Sequence, residues 1–149
     1  MTPPALRVLF LCTGNSARSQ MAEAIARSLT KGAVDVTSAG SDPRPEIHPL
    51  AREAVRRVFG LEMTGQHPKS MNQFFSDRFD YVITVCDRAA GACPAFPGSP
   101  EVIHWSLPDP AEMEGTQEER YRAFEQTARD LVARIGSWLS LASASGLLR

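Results

Sequence analysis

The segment RVLFLCTGNSARSQMAE, Arg7 to Glu23, constrains this chain more than any other. Four consecutive apolar residues, Val8 to Leu11, read as a strand buried on both faces, and such strands belong to parallel sheets covered by helices. The run ends on Cys12. Five small or polar residues, Thr13-Gly-Asn-Ser-Ala17, then turn the chain into a pattern with Met21, Ala22, Ile25 and Leu29 at helical spacing. A buried strand, a tight turn and an amphipathic helix form the first half of a βαβ unit.

The rest of the chain repeats that alternation. Val34 to Thr37 is a second short apolar stretch, expected to close in a turn at Ser38-Ala-Gly40. His48-Pro49 opens a helix with proline at its first position, an apolar stripe at Leu50, Ala54 and Val58, and Gly60 as its stop. Tyr81 to Val85 and Glu101 to Trp105 read as further strands. Thr116-Gln-Glu-Glu119 is a capping box for a long last helix with a stripe at Tyr121, Phe124, Ala128, Leu131, Ile135 and Trp138, expected to fray beyond Leu139. The order predicts an α/β fold, a three-layer αβα arrangement around a four-stranded parallel sheet. With 149 residues and no repeat or linker, residues 1–149 are expected to form a single domain.

Composition narrows the function. The N-terminal apolar run is too short to span a membrane and lacks the features of a signal peptide, so a cytoplasmic protein with no membrane partner is expected. Residues 1–60 carry eight Lys/Arg against five Asp/Glu, within a net charge of -1 for the chain. Without a basic run or interleaved aromatics, this mild asymmetry fits a small anion and gives nucleic acid no support. Three cysteines in a reducing compartment point to reactivity or metal rather than to a structural disulfide.

Ligands of parallel sheets bind at the carboxyl ends of the strands. Cys12 falls there after the first strand, Cys86 after the third, and Asp109 shortly past the fourth. The turn from Thr13 to Ala17 lets successive backbone N–H groups converge at a helix N-terminus, which is a nest for an oxyanion. Arg18 adds a planar fork of donors suited to a tetrahedral oxyanion. The same field favours a thiolate at Cys12, the nucleophilic form of cysteine. Gly14 permits close backbone approach, Asn15 either braces the loop or adopts a left-handed conformation, and Ser19 is placed to donate to the thiolate.

CTGNSARS followed by QMAEA resembles the phosphate loop of the low-molecular-weight protein tyrosine phosphatase superfamily, and Ser38-Ala-Gly40 and Asp109-Pro110 match that superfamily in order and spacing. Within it, VITVC, the Cys86-x6-Cys93-Pro94 segment and His104-Trp105 with Asp109-Pro110 are similar to the thioredoxin-coupled arsenate reductases. That resemblance implies substrate binding by Thr13 to Ser19 and attack on arsenate by Cys12, with Arg18 and Asp109 as oxyanion clamp and general acid. A disulfide relay through Cys86 to Cys93 would follow, with thioredoxin as reductant. No cofactor and no metal are expected: Cys86 and Cys93 are poorly spaced for zinc, and a full ligand set would require sacrificing the anion cradle. A monomer is expected.

Some relatives hold potassium beside the loop through residues matching Asn15, Glu23 and Ser38 and an acidic residue farther on. Lys69-Ser70 stands there in this chain, so no essential potassium is expected. Two other readings remain open, a phosphatase using Cys12, Arg18 and Asp109 alone, and a noncatalytic module whose thiols report oxidation. His48 is expected at a helix entry, His104 beside Trp105, and Phe74, Phe75 and Phe79 in the core.

Overall fold

The structure is a computed structural model that describes residues 6–86, 95–98 and 100–144. Four strands, β1 (Leu6–Cys12), β2 (Val34–Gly40), β3 (Tyr81–Thr84) and β4 (Glu101–His104), form one sheet in the order β2-β1-β3-β4. Every pairing is parallel, with Cys12 opposite Gly40 and Leu11 opposite both Ala39 and Thr84. The central strand β1 is the apolar run that dominates the sequence.

Period-two alternation sorts β1 between two cores. Val8, Phe10 and Cys12 face a cluster shared with three helices, α1 (Arg18–Thr30), α2 (Pro49–Phe59) and α3 (Gln117–Ala144). These helices pack against one another on that face. Leu9 and Leu11 face the opposite cluster with Ala39, Met71, Phe79 and Val82, covered among the described residues by the 3-10 helix Met71–Phe74 and by Phe96. Val8, Phe10, Leu9 and Leu11 are all completely buried, and each such side chain contributes about 1.5–3 kcal/mol of transfer free energy.

Helix ends follow the local chemistry. His48 caps α2 by accepting the Leu50 N–H at Nδ1, Pro49 fills the first turn, and Gly60 ends the helix with φ 70°, a left-handed conformation. Thr116 and Glu119 exchange the two bonds of a capping box before α3. The whole predicted stripe of α3, Tyr121 through Trp138, is buried.

Several boundaries differ from expectation. Ser38, Ala39 and Gly40 continue β2 rather than turning, because the ladder to β1 runs on to the Cys12–Gly40 pair. Helix α3 persists to Ala144, five residues past Leu139, with Ala142 buried. Leu29, on the predicted stripe of α1, is 38% exposed in the last turn of the helix. Phe79 is in the second core, whereas Phe75 is 45% exposed and meets Phe96 edge-on at 5.6 Å. His104 bonds Thr84, Nδ1 to Oγ1 at 2.7 Å, which ties β4 to β3. No helix among the described residues is long and apolar enough to cross a membrane.

Candidate active site

Cys12 closes β1, and α1 begins at Arg18, so the residues between them wrap the carboxyl end of the central strand. Asn15 makes the turn possible: its φ is 48°, a left-handed conformation that asparagine tolerates. Ala17, the residue at the N-cap of α1, has no side chain that can cap it, so the N-terminal helical amides receive no such bond from it.

An outer strap fixes which way the loop amides face. The N–H groups of Asp42, Arg44 and His48 donate to the carbonyls of Thr13, Gly14 and Ser16, each at 2.9 Å, and Ser16 Oγ donates to the Glu46 carbonyl. In a trans peptide the N–H points opposite to its carbonyl. Carbonyls bound to the strap therefore turn the amides of Gly14, Asn15 and Ala17 to the other side. The Asn15 amide reaches Cys12 Sγ at 3.2 Å, which shows that the sulfur lies inside the resulting nest. Gly40 lets the loop pack against the end of β2: a Cβ there would lie 2.4 Å from the Thr13 carbonyl oxygen. Gly40 and the 42–48 strap were not identified as site-building elements in the sequence, because a strap is recognised only once its backbone bonds are seen.

Cys12 is a free cysteine, 2% exposed, and Ser19 Oγ lies 2.8 Å from its sulfur. Arg18 is 8% exposed, with Nη1 donating to the Leu107 carbonyl at 3.1 Å and Nη2 3.7 Å from Asp109 Oδ2. Asp109 Oδ1 accepts the Ala111 N–H and so caps the 3-10 helix Pro110–Glu112. This confers on Asp109 both the turn role and a place at the site: one oxygen holds the chain while the other faces the guanidinium.

Cys86 follows β3 by two residues and is 3% exposed. Its carbonyl accepts the Leu107 N–H at 3.4 Å, and the Leu107 carbonyl holds Arg18. One residue thus braces Arg18 and the second cysteine together. Cys86 is disulfide-bonded. Cys93 lies outside the described residues. Among the described residues, no group of three or more His, Cys, Asp or Glu is arranged to hold a metal ion.

Beneath the loop, Lys69 Nζ lies 3.7 Å from Glu23 Oε1, which accepts the Ser38 hydroxyl at 2.7 Å, and the Lys69 amide donates to Asn15 Oδ1. Burial pushes the Lys69 ammonium below its ordinary range, Glu23 opposes that shift, and Arg27 adds to it.

A parallel α/β sheet whose central strand ends in a Cys-x5-Arg loop with inward-facing amides, and a carboxylate facing the arginine, has the local geometry of a site in which a cysteine thiolate could act as nucleophile. The chain belongs to the low molecular weight phosphotyrosine protein phosphatase family, whose model matches residues 7–144. The arsenate reductase of Halalkalibacterium halodurans is 38% identical over 128 residues, 86% of this chain and 91% of that protein. The thioredoxin-dependent arsenate reductase of Corynebacterium glutamicum superposes with a TM-score of 0.62 at 32% identity, over 91% of this chain and 64% of that one. A low molecular weight protein tyrosine phosphatase from T. tengcongensis shares the fold, with a TM-score of 0.75 at 21% identity, over 91% of this chain and 99% of that one.

Proposed function

We propose that this protein reduces arsenate to arsenite through Cys12, Cys86 and Cys93, with thioredoxin as the final reductant. The observation that carries the proposal is the pairing of a free, nest-bound Cys12 with a second cysteine, Cys86, just past the end of the adjacent strand. A phosphatase of this fold needs the first cysteine only. The arsenate reductases at 35–38% identity support the same choice.

Arsenate seats in the loop from Thr13 to Ser19, its oxygens facing the inward amides and the Arg18 fork. The Cys12 thiolate attacks arsenic, and a departing oxygen leaves as water after taking a proton from Asp109. The Cys86 thiolate then attacks the Cys12 sulfur. The S–As bond breaks, its electron pair stays on arsenic, and arsenite departs as a Cys12–Cys86 disulfide forms. Attack by the Cys93 thiolate on Cys86 releases the Cys12 thiolate and leaves a Cys86–Cys93 disulfide, which the dithiol of thioredoxin reduces. The chain's own thiols supply both electrons, so the reaction calls for no bound cofactor.

The test is arsenate-dependent NADPH consumption with thioredoxin and thioredoxin reductase, comparing the wild type with Cys93→Ser. Continuous turnover by the wild type and arrest of the variant after about one equivalent of arsenite support the relay. Hydrolysis of p-nitrophenyl phosphate at a useful rate without NADPH consumption would replace it with a phosphatase.

A further inference from the structure

Behind the loop lies a row of polar side chains that the reaction above does not use. Gln20, on α1, is completely buried. Its Nε2 donates to Asn15 Oδ1 at 3.0 Å and to the His67 carbonyl at 2.9 Å. Its Oε1 accepts from Gln66 Nε2 at 2.9 Å, and the same Gln66 nitrogen donates to the Gln20 carbonyl at 3.0 Å. Asn15 Nδ2 in turn donates to Ser19 Oγ at 2.8 Å, the oxygen that lies 2.8 Å from Cys12 Sγ.

Backbone groups fix the direction of every bond in this row. The His67 carbonyl can only accept, so Gln20 must present its NH2 there, and the same NH2 meets Asn15. The Lys69 N–H can only donate, and it does so to Asn15 Oδ1 at 2.9 Å. The Asn15 amide therefore has its oxygen toward Gln20 and Lys69 and its nitrogen toward Ser19. A hydroxyl that accepts from Asn15 has one proton left, and the Cys12 sulfur is its neighbour. The orientation follows from fixed donors and acceptors at both ends, independent of how the amide atoms are assigned.

We infer that Gln20, held by Gln66, is a positioning residue for Cys12: it locks the Asn15 amide so that Ser19 delivers its single proton to the sulfur. The inference rests on the reading of Cys12 as a nucleophilic thiolate and deepens it. Gln20 acts through Asn15 and Ser19 and does not touch the substrate. A chain of bonds that all run one way strengthens its last member, because each donor polarises the next. A methionine of similar volume at position 20 would leave the His67 carbonyl and Asn15 Oδ1 each short of a donor while keeping the space filled.

The experiment follows iodoacetamide alkylation of Cys12 against pH in the full chain, with the Cys12 peptide quantified by mass spectrometry, for the wild type, Gln20→Met and Gln66→Met. Inorganic phosphate affinity is measured alongside. Both variants are expected to need a pH higher by about half a unit, a roughly threefold slower alkylation on the rising limb, while phosphate affinity stays within about twofold. Gln66 is only half-buried, so its variant keeps the test alive if Gln20→Met fails to fold. Superimposable profiles overturn the inference, as does a loss of phosphate affinity with an unmoved profile, which would make the row a brace for the loop. A wild-type Cys12 that alkylates only in the ordinary thiol range refutes the nucleophile reading, and the positioning role falls with it.

Discussion

Lys69 places its ammonium 3.7 Å from Glu23 Oε1, under the phosphate loop and beside the Ser38 hydroxyl that Glu23 also accepts. Glu23 is 3% exposed, and a buried carboxylate needs a compensating charge. Lys69 supplies it from within the chain, and Arg27 supports the other carboxylate oxygen at 2.9 Å. Steady-state arsenate reduction is therefore expected to differ by less than about twofold between sodium and potassium buffers of equal ionic strength. Lys69→Asp sets a second carboxylate against Glu23 and removes the cation. That variant should lose activity in sodium and regain part of it in potassium; a wild type strongly activated by potassium would sink the assignment.

Much of this arrangement was legible in the chain. The Val8–Leu11 run, the capping box at Thr116 and the helix-entry proline at Pro49 are local signals whose physics does not depend on distant partners, and each stands where its pattern placed it. Cys12 and Arg18 were legible because a strand, a turn and a helix are contiguous. What escaped was nonlocal. Gly40 looks like a turn residue in isolation, and only the ladder to Cys12 makes it the end of a strand. Gln20 lies among apolar helix positions with no signal that its amide meets Asn15 and Gln66. Leu107 reads as one more apolar residue, yet it acts through its backbone, which no side-chain pattern reports.

Gly40 gives a second prediction. A Cβ at this position would meet the Thr13 carbonyl oxygen at 2.4 Å and the Asn15 nitrogen at 3.0 Å, both in the backbone of the loop, so relief requires the loop itself to move. Gly40→Ala should cost about 1–3 kcal/mol in urea unfolding and weaken phosphate binding out of proportion to that loss. An alanine variant that binds phosphate as the wild type does would mean that the loop and β2 are not rigidly coupled.

Arg18→Lys isolates the guanidinium. Arginine reaches the Leu107 carbonyl with one nitrogen and faces Asp109 with another, and a guanidinium carries five N–H donors in all, more than these two contacts use. A lysine ammonium cannot span these positions at once. Arsenate kcat/KM is expected to fall by about a hundredfold or more, whereas the unfolding midpoint should change little because the charge and most of the side-chain stem remain. Stopped-flow single turnover at saturating arsenate would place the loss in binding or in chemistry; retention of more than about a third of the activity would show that charge alone suffices at this position.

His48 links the site to pH through stability. Its ring lies 4.5 Å from that of Phe124, and its Nδ1 accepts the Leu50 N–H at 3.1 Å, so the neutral ring both packs and caps α2. Burial moves its pKa below the ordinary 6.5, Arg120 and Arg44 add to the shift, and Asp109 opposes it. The folded state thus binds the proton less readily than the unfolded chain. The resulting stability is complete above the ordinary value and is lost as pH falls through the lowered one. Protonation also converts Nδ1 from acceptor to donor, which removes the cap. Thermal unfolding of the wild type between pH 7.5 and 5.5 should show a clear fall in Tm. His48→Asn keeps a capping oxygen without the titration, so its Tm should fall less over the same interval, and equal falls in the two proteins would assign the acid sensitivity to other groups.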